Sequence, residues 1–216
     1  MMNQHVELDA CLQWEAASAK DHERCAELIL SSGPTAFHWV FSHHHGPSAL
    51  IFLKNCFQQK NNQFSYRYHK VIKQSNAVLG CIALYDTASL NDCFLGTARV
   101  IFKHYGLRGI IKGLRFEYKL AHPPKKHCLY LAHIAVIEDA RGKGLATRLI
   151  QLAYRHAQQE GHTALSLDVA ANNHSARRLY SNLGFREVRF NKSFNTILDD
   201  HIYMEKPVSP INRAAD

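Results

Sequence analysis

Long apolar runs are absent from this sequence of 216 residues, and none approaches the roughly 18 residues of a membrane-spanning helix. The opening stretch, MMNQHVELDACLQWEAASAKDHE, is polar and acidic, so it lacks the basic and apolar regions of a signal peptide. CxxC pairs are also missing, although six cysteines occur, which argues against a zinc ribbon or a disulfide scaffold. Scattered cysteines are typical of free thiols in a reducing compartment, so we expect a cytoplasmic protein.

Internal repeats, low-complexity segments and linkers are absent as well. A chain of this length can bury one substantial core, and 46% apolar with 20% charged residues is an ordinary composition for a globular protein. We therefore expect residues 1–216 to form one domain, with 209–216 as a flexible tail.

Acidic residues are nearly absent from one stretch. Between Arg99 and Lys126 eight basic residues and one acid, Glu117, leave a charge of +7 out of the formal net charge of +8. The basic residues are Arg99, Lys103, Arg108, Lys112, Arg115, Lys119, Lys125 and Lys126. Aromatic side chains do not alternate with these cations as they do on a surface that binds single-stranded nucleic acid, which argues against a nucleic-acid partner. A solvated face over a sheet edge and adhesion to an anionic membrane both stay open.

Hydrophobic periodicity predicts an antiparallel first half. The expected elements are a strand at 12–17, a helix from 21 to about 30, a partly helical stretch at 37–57, and hairpin strands at 64–72 and 77–85. Gly80 in the second hairpin strand predicts a bulge or a close backbone contact. From 86 to 128 the pattern is helical, with one amphipathic helix that ends at Gly106 and a second that carries a cationic stripe beside its apolar one.

The second half alternates strands and helices. We expect strands at 129–137, 164–170, 185–190 and 196–208, with helices at 144–159 and 175–184. A strand–helix–strand order implies parallel pairing. The sequence therefore predicts an α/β (α+β) domain in which a parallel unit follows an antiparallel part.

A basic, glycine-broken turn, DARGKGLATRLI, stands between the strand at 129–137 and the next helix. The first N–H groups of a helix have no partner within it, and they form the positive end of its dipole. Gly142 and Gly144 let the backbone approach a ligand, while Arg141 and Lys143 add positive charge. These features predict a phosphate or pyrophosphate site, although a charged surface turn is the simpler alternative. Neither the GxxxxGK[ST] nor the GxGxxG spacing occurs.

The string R-G-K-G-L-A after a strand, together with N-x-x-A-x-x-L-Y-x-x-x-G-F from Asn173 to Phe185, resembles the GNAT (GCN5-related N-acetyltransferase) superfamily. Arg141, Gly144 and Ala146 stand at the positions of that family's acyl-CoA motif, [RQ]-x-x-G-x-[GA]. The resemblance is specific over 129–190 and only architectural over the first 85 residues. It implies a single domain whose mixed, mostly antiparallel sheet contains a splayed parallel pair at the acyl-CoA site, flanked by helices. The helical segment at about 86–128 is then an insertion that departs from the family pattern.

The resemblance also implies an acetyl-CoA-dependent N-acetyltransferase that needs no metal and acts on a small-molecule or peptide amine. The implied cofactor-binding residues are Ile134, Ala135 and Val136 for pantetheine, Arg141, Gly142, Lys143, Gly144, Leu145, Ala146 and Thr147 for the pyrophosphate, and Asn173 and Tyr180. Tyr180 would protonate the departing thiolate of CoA. The simpler alternatives are a helix cap for Asn173 and a half-buried aromatic residue for Tyr180. A homodimer, a catalytically silent acyl-CoA sensor and a binder of nucleic acid or anionic membrane also stay open.

The general base is not evident, because LYLAHIAV contains none of the carboxylates that this family often places on its central strand. His133 is the only imidazole there, and its ordinary pKa suits a base. A structural histidine, Tyr130 or a water chain would serve as well, and the choice depends on a bulge that the sequence does not locate. The cluster His38, His43, His44 and His45 lacks a second group of metal ligands, so we favour an acceptor contact over a metal site there. The insertion could form a lid over the acceptor site or touch the CoA phosphates.

Overall fold

The structure, a computed structural model, describes residues 12–41, 46–122 and 124–210. Its helices are α1 (His22–Ser32), α2 (Pro34–Phe41), α3 (Ala49–Phe57), α4 (Thr87–Leu120), α5 (Leu145–Gln159) and α6 (His174–Asn182). Its strands are β1 (Gln13–Ala16), β2 (His69–Gln74), β3 (Ala77–Tyr85), β4 (Cys128–Val136), β5 (Ala164–Ala170), β6 (Arg186–Asn191) and β7 (His201–Pro207). None of the described helices is both long and apolar enough to cross a membrane.

The seven strands form one sheet in the order β1-β2-β3-β4-β5-β7-β6. All neighbouring strands are antiparallel except β4 and β5, which are parallel. This mixed, mostly antiparallel sheet with one parallel pair confirms the fold that the family resemblance implies.

The parallel pair separates along its length. Hydrogen-bonded register joins β4 to β5 only from Cys128, opposite Ala164, to Tyr130, opposite Ser166. The rest of β4, up to Val136, keeps its pairing with β3 but has no partner on the β5 side among the described residues. The predicted splay is therefore present, and it exposes an edge of β4.

Hydrophobic cores cover both faces of the sheet. On one face, Leu131 and Leu167 pack with Leu149 of α5 and Tyr180 of α6. On the other face, side chains of β2 to β4 pack against α1, α2, α3 and the first half of α4. Because neighbouring strand residues point to opposite faces, Tyr130 and Asp168 belong to this second face.

Gly80 allows a close approach between β3 and β4, as its position in the strand predicts. A Cβ atom on Gly80 would lie 3.0 Å from the Ala135 carbonyl oxygen and 3.2 Å from a methyl group of Leu149. The pairing of β2 with β3 also shifts register next to this glycine. A side chain at this position would push α5 and β4 away from β3.

The insertion is a single helical segment of 34 residues with a kink at Gly106, where φ is 61° and ψ is −160°. The predicted break at Gly106 is therefore confirmed. Of the predicted apolar stripe before the kink, Ile101 and Tyr105 pack, whereas most of the predicted stripe after the kink does not. The residues that α4 buries are Cys93, Thr97, Ile101, Tyr105, Gly109 and Leu120, whereas Leu107, Ile111, Leu114 and Tyr118 are all more than half exposed.

Two predicted strands are shorter in the structure. The strand expected at 64–72 begins only at His69, because Ser65 accepts a hydrogen bond from the N–H of Arg67 and starts a 3-10 turn at Tyr66–Tyr68. The strand expected at 196–208 begins at His201, because the Asn195 side chain accepts the N–H groups of Ile197 and Leu198. In both places a side chain captures backbone N–H groups that a strand would need.

Candidate functional site

The turn after β4 has the backbone shape that an anion site requires. A 3-10 turn, Glu138–Ala140, follows the strand, and Gly144 is the N-cap of α5. Gly142 and Gly144 have φ values of 73° and 78°, in the left-handed region that glycine adopts without strain. Gly144 offers no capping side chain, so the first N–H groups of α5 face outward without an intrahelical partner.

Positive charge surrounds this turn. Arg141 and Lys143 are exposed, whereas Leu145 is buried and anchors the start of α5. Arg141 also donates from Nε to the carbonyl oxygen of Val136 at 3.4 Å, which ties the turn to the end of β4. Ala146 and Thr147 are partly exposed on the first turn of the helix. The turn therefore presents free amides and cations at one point on the surface.

A β-bulge lies in β4 next to the splayed edge. Cys81 pairs with Ala135 and Ala83 pairs with Ala132, so two residues of β4, His133 and Ile134, stand opposite one residue of β3. His133 has a φ of 53°. The bulge directs its ring into the second face, where it contacts the rings of Phe37 and Phe64 at centroid distances of 5.8 and 5.9 Å.

His133 forms a hydrogen-bonded chain with His69. The Nδ1 atom of His69 lies 2.7 Å from the carbonyl oxygen of Ser65, and its Nε2 atom lies 3.0 Å from Nδ1 of His133. The Ser65 carbonyl only accepts, so Nδ1 of His69 carries the proton. Burial lowers the pKa of His69 to about 4, so at neutral pH its Nε2 atom has only a lone pair to offer.

The chain therefore fixes the tautomer of His133. Its Nδ1 atom must donate to His69, which leaves Nε2 with a lone pair. Burial, and then the neighbouring His69, holds the pKa of His133 well below its ordinary value. No described residue hydrogen-bonds to Nε2, and the ring is partly exposed. His133 is therefore neutral at pH 7, and its Nε2 atom can accept a proton.

Tyr180 lies on α6, the helix that follows β5, and Asn173 directly precedes that helix. Tyr180 is buried against Phe185, and its hydroxyl group has no hydrogen-bond partner among the described residues. Burial raises the pKa of Tyr180 to about 12, so the hydroxyl stays protonated. Asn173 is the helix N-cap, because its Oδ1 atom accepts the N–H of Ala176 at 3.1 Å. The cap role considered from the sequence is present, and it leaves the side-chain amide donors of Asn173 free.

A second polar cluster, which the sequence did not predict, surrounds Asp168. This residue is on β5, two positions after Ser166, where the pairing of β5 with β4 ends. The hydroxyl group of Tyr130 donates to Oδ2 of Asp168 at 3.0 Å. His122, at the end of the insertion, donates its backbone N–H at 2.9 Å and places Nδ1 at 3.1 Å from Oδ1. Burial raises the pKa of Asp168, although the hydrogen bonds from His122 and Tyr130 oppose the shift. The alternation of β5 could have indicated this buried carboxylate.

Glu117, the only acid of the basic stretch, is exposed, and its carboxyl group lies beside the Gln63 side chain. Desolvation raises the pKa of its carboxyl group, and a hydrogen bond from the Gln63 side chain opposes the shift. Its charge also contributes to the raised pKa values of Tyr85 and Tyr130, after the larger effect of burial. Glu117 therefore lies close to the same face as Tyr130 and Asp168.

The second half of α4 contacts two aromatic residues from other elements. Lys112 donates from Nζ to the carbonyl oxygen of Trp39 at 3.0 Å and lies over the Trp39 ring. Arg115 lies over the ring of Phe194, in the loop between β6 and β7, at 4.5 Å. The rings of Trp39 and Phe194 meet edge to face at 5.4 Å. These four residues, the Trp39–Phe194 bridge, connect α2, α4 and the β6–β7 loop.

Two surface hollows lie elsewhere. One, of about 450 Å³, is lined by Arg67, Tyr68, Asp92 and Arg99 among others. The other, of about 430 Å³, lies along the outer side of α6. Neither of these two contains a predicted site residue.

Metal ligands do not gather in the described part of the chain, where no three His, Cys, Asp or Glu side chains are placed to hold an ion. The histidines at 43–45 lie outside the described residues. His38 is in α2.

Comparison with known proteins agrees with this geometry. The sequence model of the Acetyltransferase (GNAT) family matches residues 36–185. A chloroplastic GCN5-related N-acetyltransferase 4 from Arabidopsis thaliana is 40% identical over 60 residues, 28% of this chain and 21% of that protein. An N-alpha-acetyltransferase from Saccharolobus solfataricus is 29% identical over 80 residues, 37% of this chain and 48% of that protein. The chain thus spans less than half the length of either curated relative.

Solved structures share the fold. An N-acetyltransferase from Staphylococcus aureus Mu50 superposes with a TM-score of 0.65 at 19% identity, over 89% of this chain and 99% of the other. At such low identity the likeness concerns the fold alone.

Proposed function

Because the chain belongs to the GNAT acetyltransferase family, we propose that it transfers the acetyl group of acetyl-CoA to an amine of a small molecule or peptide by direct attack. The observation that carries this proposal is the separation of β4 from β5 beyond Tyr130, directly before the glycine turn at Arg141–Thr147. The open edge of β4 suits the amides of pantetheine, and the turn suits a pyrophosphate.

Each element around the proposed acetyl-CoA site would contact a different part of the cofactor. Backbone groups of Ile134 to Val136 would pair with the pantetheine arm as a further strand would. The N–H of Arg141 already donates to the carbonyl oxygen of Glu138, so the amides from Gly142 to Ala146, with the Arg141 side chain and the hydroxyl of Thr147, would hold the pyrophosphate. The side-chain amide donors of Asn173 would contact the cofactor arm. This arrangement would place the thioester beside the bulge at His133.

Tyr180 would protonate the thiolate that leaves when the amine attacks. A tyrosine whose pKa is raised to about 12 by burial keeps its proton at neutral pH, and it can give that proton to the developing thiolate in the transition state. None of the described residues hydrogen-bonds to the Tyr180 hydroxyl group, so it is available to the thiolate.

His133 would accept the proton from the attacking amine. The hydrogen bond with His69 keeps the proton of His133 on Nδ1, so Nε2 of His133 keeps its lone pair. The ring of His133 stays neutral at pH 7. An amine that forms a bond to the acetyl carbon becomes far more acidic, so a base of low pKa can accept its proton.

The Tyr130–Asp168 pair is a second candidate for the same role. Asp168 is a buried carboxylate that already accepts the Tyr130 hydroxyl hydrogen, so a proton could pass from the amine through Tyr130 to Asp168. Separate His133→Asn and Asp168→Asn variants distinguish the two routes. The variant that loses turnover while it keeps acetyl-CoA affinity identifies the proton acceptor.

An acceptor panel with acetyl-CoA tests the proposed activity, with free thiol as the readout. The panel covers amino acids, polyamines, aminoglycosides and peptides with free N-termini. We expect thiol release with at least one amine class, and a mass increase of that amine by one acetyl group. Saturable acetyl-CoA binding without turnover on any amine would instead favour a silent acyl-CoA sensor.

Two glycine variants test the pyrophosphate turn with a matched control. Gly144 and Gly161 bound α5 at opposite ends, have φ values of 78° and 77°, and leave open space where a Cβ would stand. Alanine at either position should therefore cost a similar strain, about 1 kcal/mol. We expect only Gly144→Ala to raise the KM for acetyl-CoA markedly, and equal KM values in both variants would contradict the assignment.

A further inference from the structure

The outer side of the insertion is an apolar face with no partner among the described residues. Leu107, Ile111, Leu114 and Tyr118 follow one another at spacings of four, three and four residues, so they form one stripe on α4. Their exposed fractions are 63, 55, 52 and 84%. Gly109 and Leu120, which α4 buries, lie roughly 180° around the helix from this stripe. These four residues, the outer face of α4, point away from the body of the protein.

Exposed apolar side chains concentrate on this helix. Of the eleven large apolar residues that the structure exposes, seven belong to α4. Three of them, Phe94, Leu95 and Phe102, precede the kink, with exposed fractions of 57, 77 and 59%. Isolated exposed apolar residues need no explanation, but a contiguous group indicates an interaction surface.

Positive charge borders the outer face. Arg108, Arg115 and Lys119 lie roughly 80–120° around the helix from the stripe, at about 100° per residue, and all three are exposed. The one acid of this half of α4, Glu117, is exposed on the other flank of the stripe, roughly 90° around the helix, so the three cations outnumber it along the border of the face. An occupant of the outer face should therefore combine apolar material with negative charge.

We propose that the outer face of α4 binds the surface of an anionic lipid membrane. The apolar stripe would enter the boundary between headgroups and acyl chains, while the flanking cations would extend to the phosphates. The apolar–cationic combination is that of helices that lie in a membrane interface, and anionic headgroups attract such basic segments.

A second copy of the chain matches the face less well. Two-fold pairing of antiparallel α4 helices through their stripes would bring the same flank of each helix together. Arg108, Arg115 and Lys119 of the two copies would then face each other without an acid between them. Like charges so placed oppose association.

The proposed membrane contact would lie close to α2, whose Phe37 contacts His133 of the candidate site. The cations Lys112 and Arg115 of the same half-helix form the Trp39–Phe194 bridge. The proposed docking would therefore place the β6–β7 loop and α2 beside the lipid surface. This inference does not depend on the proposed acetyl transfer, because vesicle binding is measured without acetyl-CoA.

Vesicle co-sedimentation of the full chain tests the proposal. The probes are phosphatidylcholine vesicles, alone or with about one third phosphatidylglycerol. We expect binding to the anionic vesicles only, and a loss of about tenfold in affinity when ionic strength rises to about 0.5 M. An absence of binding to anionic vesicles, or equal binding to both kinds, would overturn the proposal.

A pair of double variants locates the surface. Ile111→Gln with Leu114→Gln changes the outer face, whereas Ile51→Gln with Val188→Gln changes two residues of similar exposure outside α4 and the β6–β7 loop, each at 52%. All four positions are exposed, so both proteins should fold, which circular dichroism checks. We expect only the α4 variant to lose at least about tenfold in vesicle affinity. Equal loss in the two variants would contradict the proposal.

The same samples identify another occupant if the proposal is wrong. A dimer in analytical ultracentrifugation that the α4 variant dissociates, without vesicle binding by the original chain, would assign the face to a second copy. Retention on duplex DNA without vesicle binding would assign the cations to nucleic acid. Either result would overturn the membrane assignment.

Discussion

Acidification should destabilise this protein through one buried histidine. His69 is 1% exposed, and burial lowers its pKa from 6.5 to about 4. The unfolded chain therefore binds a proton at a pH where the folded chain does not. The contribution of His69 is fully present above pH 6.5 and is lost as the pH falls toward 4.

The size of this loss follows from the shift. One pKa unit corresponds to about 1.4 kcal/mol, so lowering the pH from about 7.5 to about 5 should reduce the free energy of unfolding by about 2 kcal/mol through His69 alone. His133, whose pKa is also lowered, adds to the loss. Glutamine at position 69 can still accept from His133 and donate to Ser65, but it does not titrate.

Urea unfolding at the two pH values, followed by tryptophan fluorescence, measures the effect. His69→Gln should lose about 2 kcal/mol less than the original chain on acidification. His174→Gln, at an exposed histidine on α6, is the control and should keep the original pH dependence. An identical loss of stability in the original chain and in His69→Gln would refute the tautomer argument, because it requires a neutral His69.

Three further predictions concern the site. Tyr180→Phe should lower kcat about 100-fold with little change in the KM for acetyl-CoA. The control Tyr118→Phe, at an exposed tyrosine of α4, should leave kcat unchanged. Equal kcat values in the original chain and in Tyr180→Phe would remove Tyr180 from the mechanism. If His133 is the proton acceptor, the acidic limb of the kcat/KM profile should have its midpoint below pH 6.5, and a midpoint above 6.5 would contradict the pKa direction. Phe194→Ala opens the Trp39–Phe194 bridge and should raise the KM for the acceptor more than that for acetyl-CoA; the reverse order would place the bridge on the cofactor side.

Local patterns predicted the shape of the turn between β4 and α5. The turn at Arg141–Thr147 could be predicted because a strand, two glycines and an amphipathic helix follow one another within a few residues. The break at Gly106 is local in the same sense, since one residue with a left-handed φ decides it. The splay of β4 followed from the family resemblance rather than from any local pattern.

Contacts between distant segments could not be predicted from the sequence. The tautomer of His133 depends on His69, which lies 64 positions earlier in the chain. The bulge that orients His133 exists only because β4 has one residue more than β3 between two paired positions. The Asp168 cluster likewise joins β5 to His122, 46 positions away. None of these contacts produces a recognisable pattern in the sequence of either segment alone.

The exposed stripe of α4 shows a different limit. Its period of 3.6 predicted an amphipathic helix correctly, but periodicity does not say which face packs. On the opposite side of the helix, Gly109 and Leu120 are buried and Phe116 packs against the core. Apolar residues thus stand on both sides of this half of the helix, and only the packing of the whole chain decides between them.

Calorimetric titration of the full chain with acetyl-CoA tests the central claim most directly. The proposed function predicts saturable binding to one site per chain, which Gly144→Ala weakens and Gly161→Ala does not. A folded chain that gives no binding heat with acetyl-CoA at several temperatures, and no shift of its melting temperature, would contradict the claim.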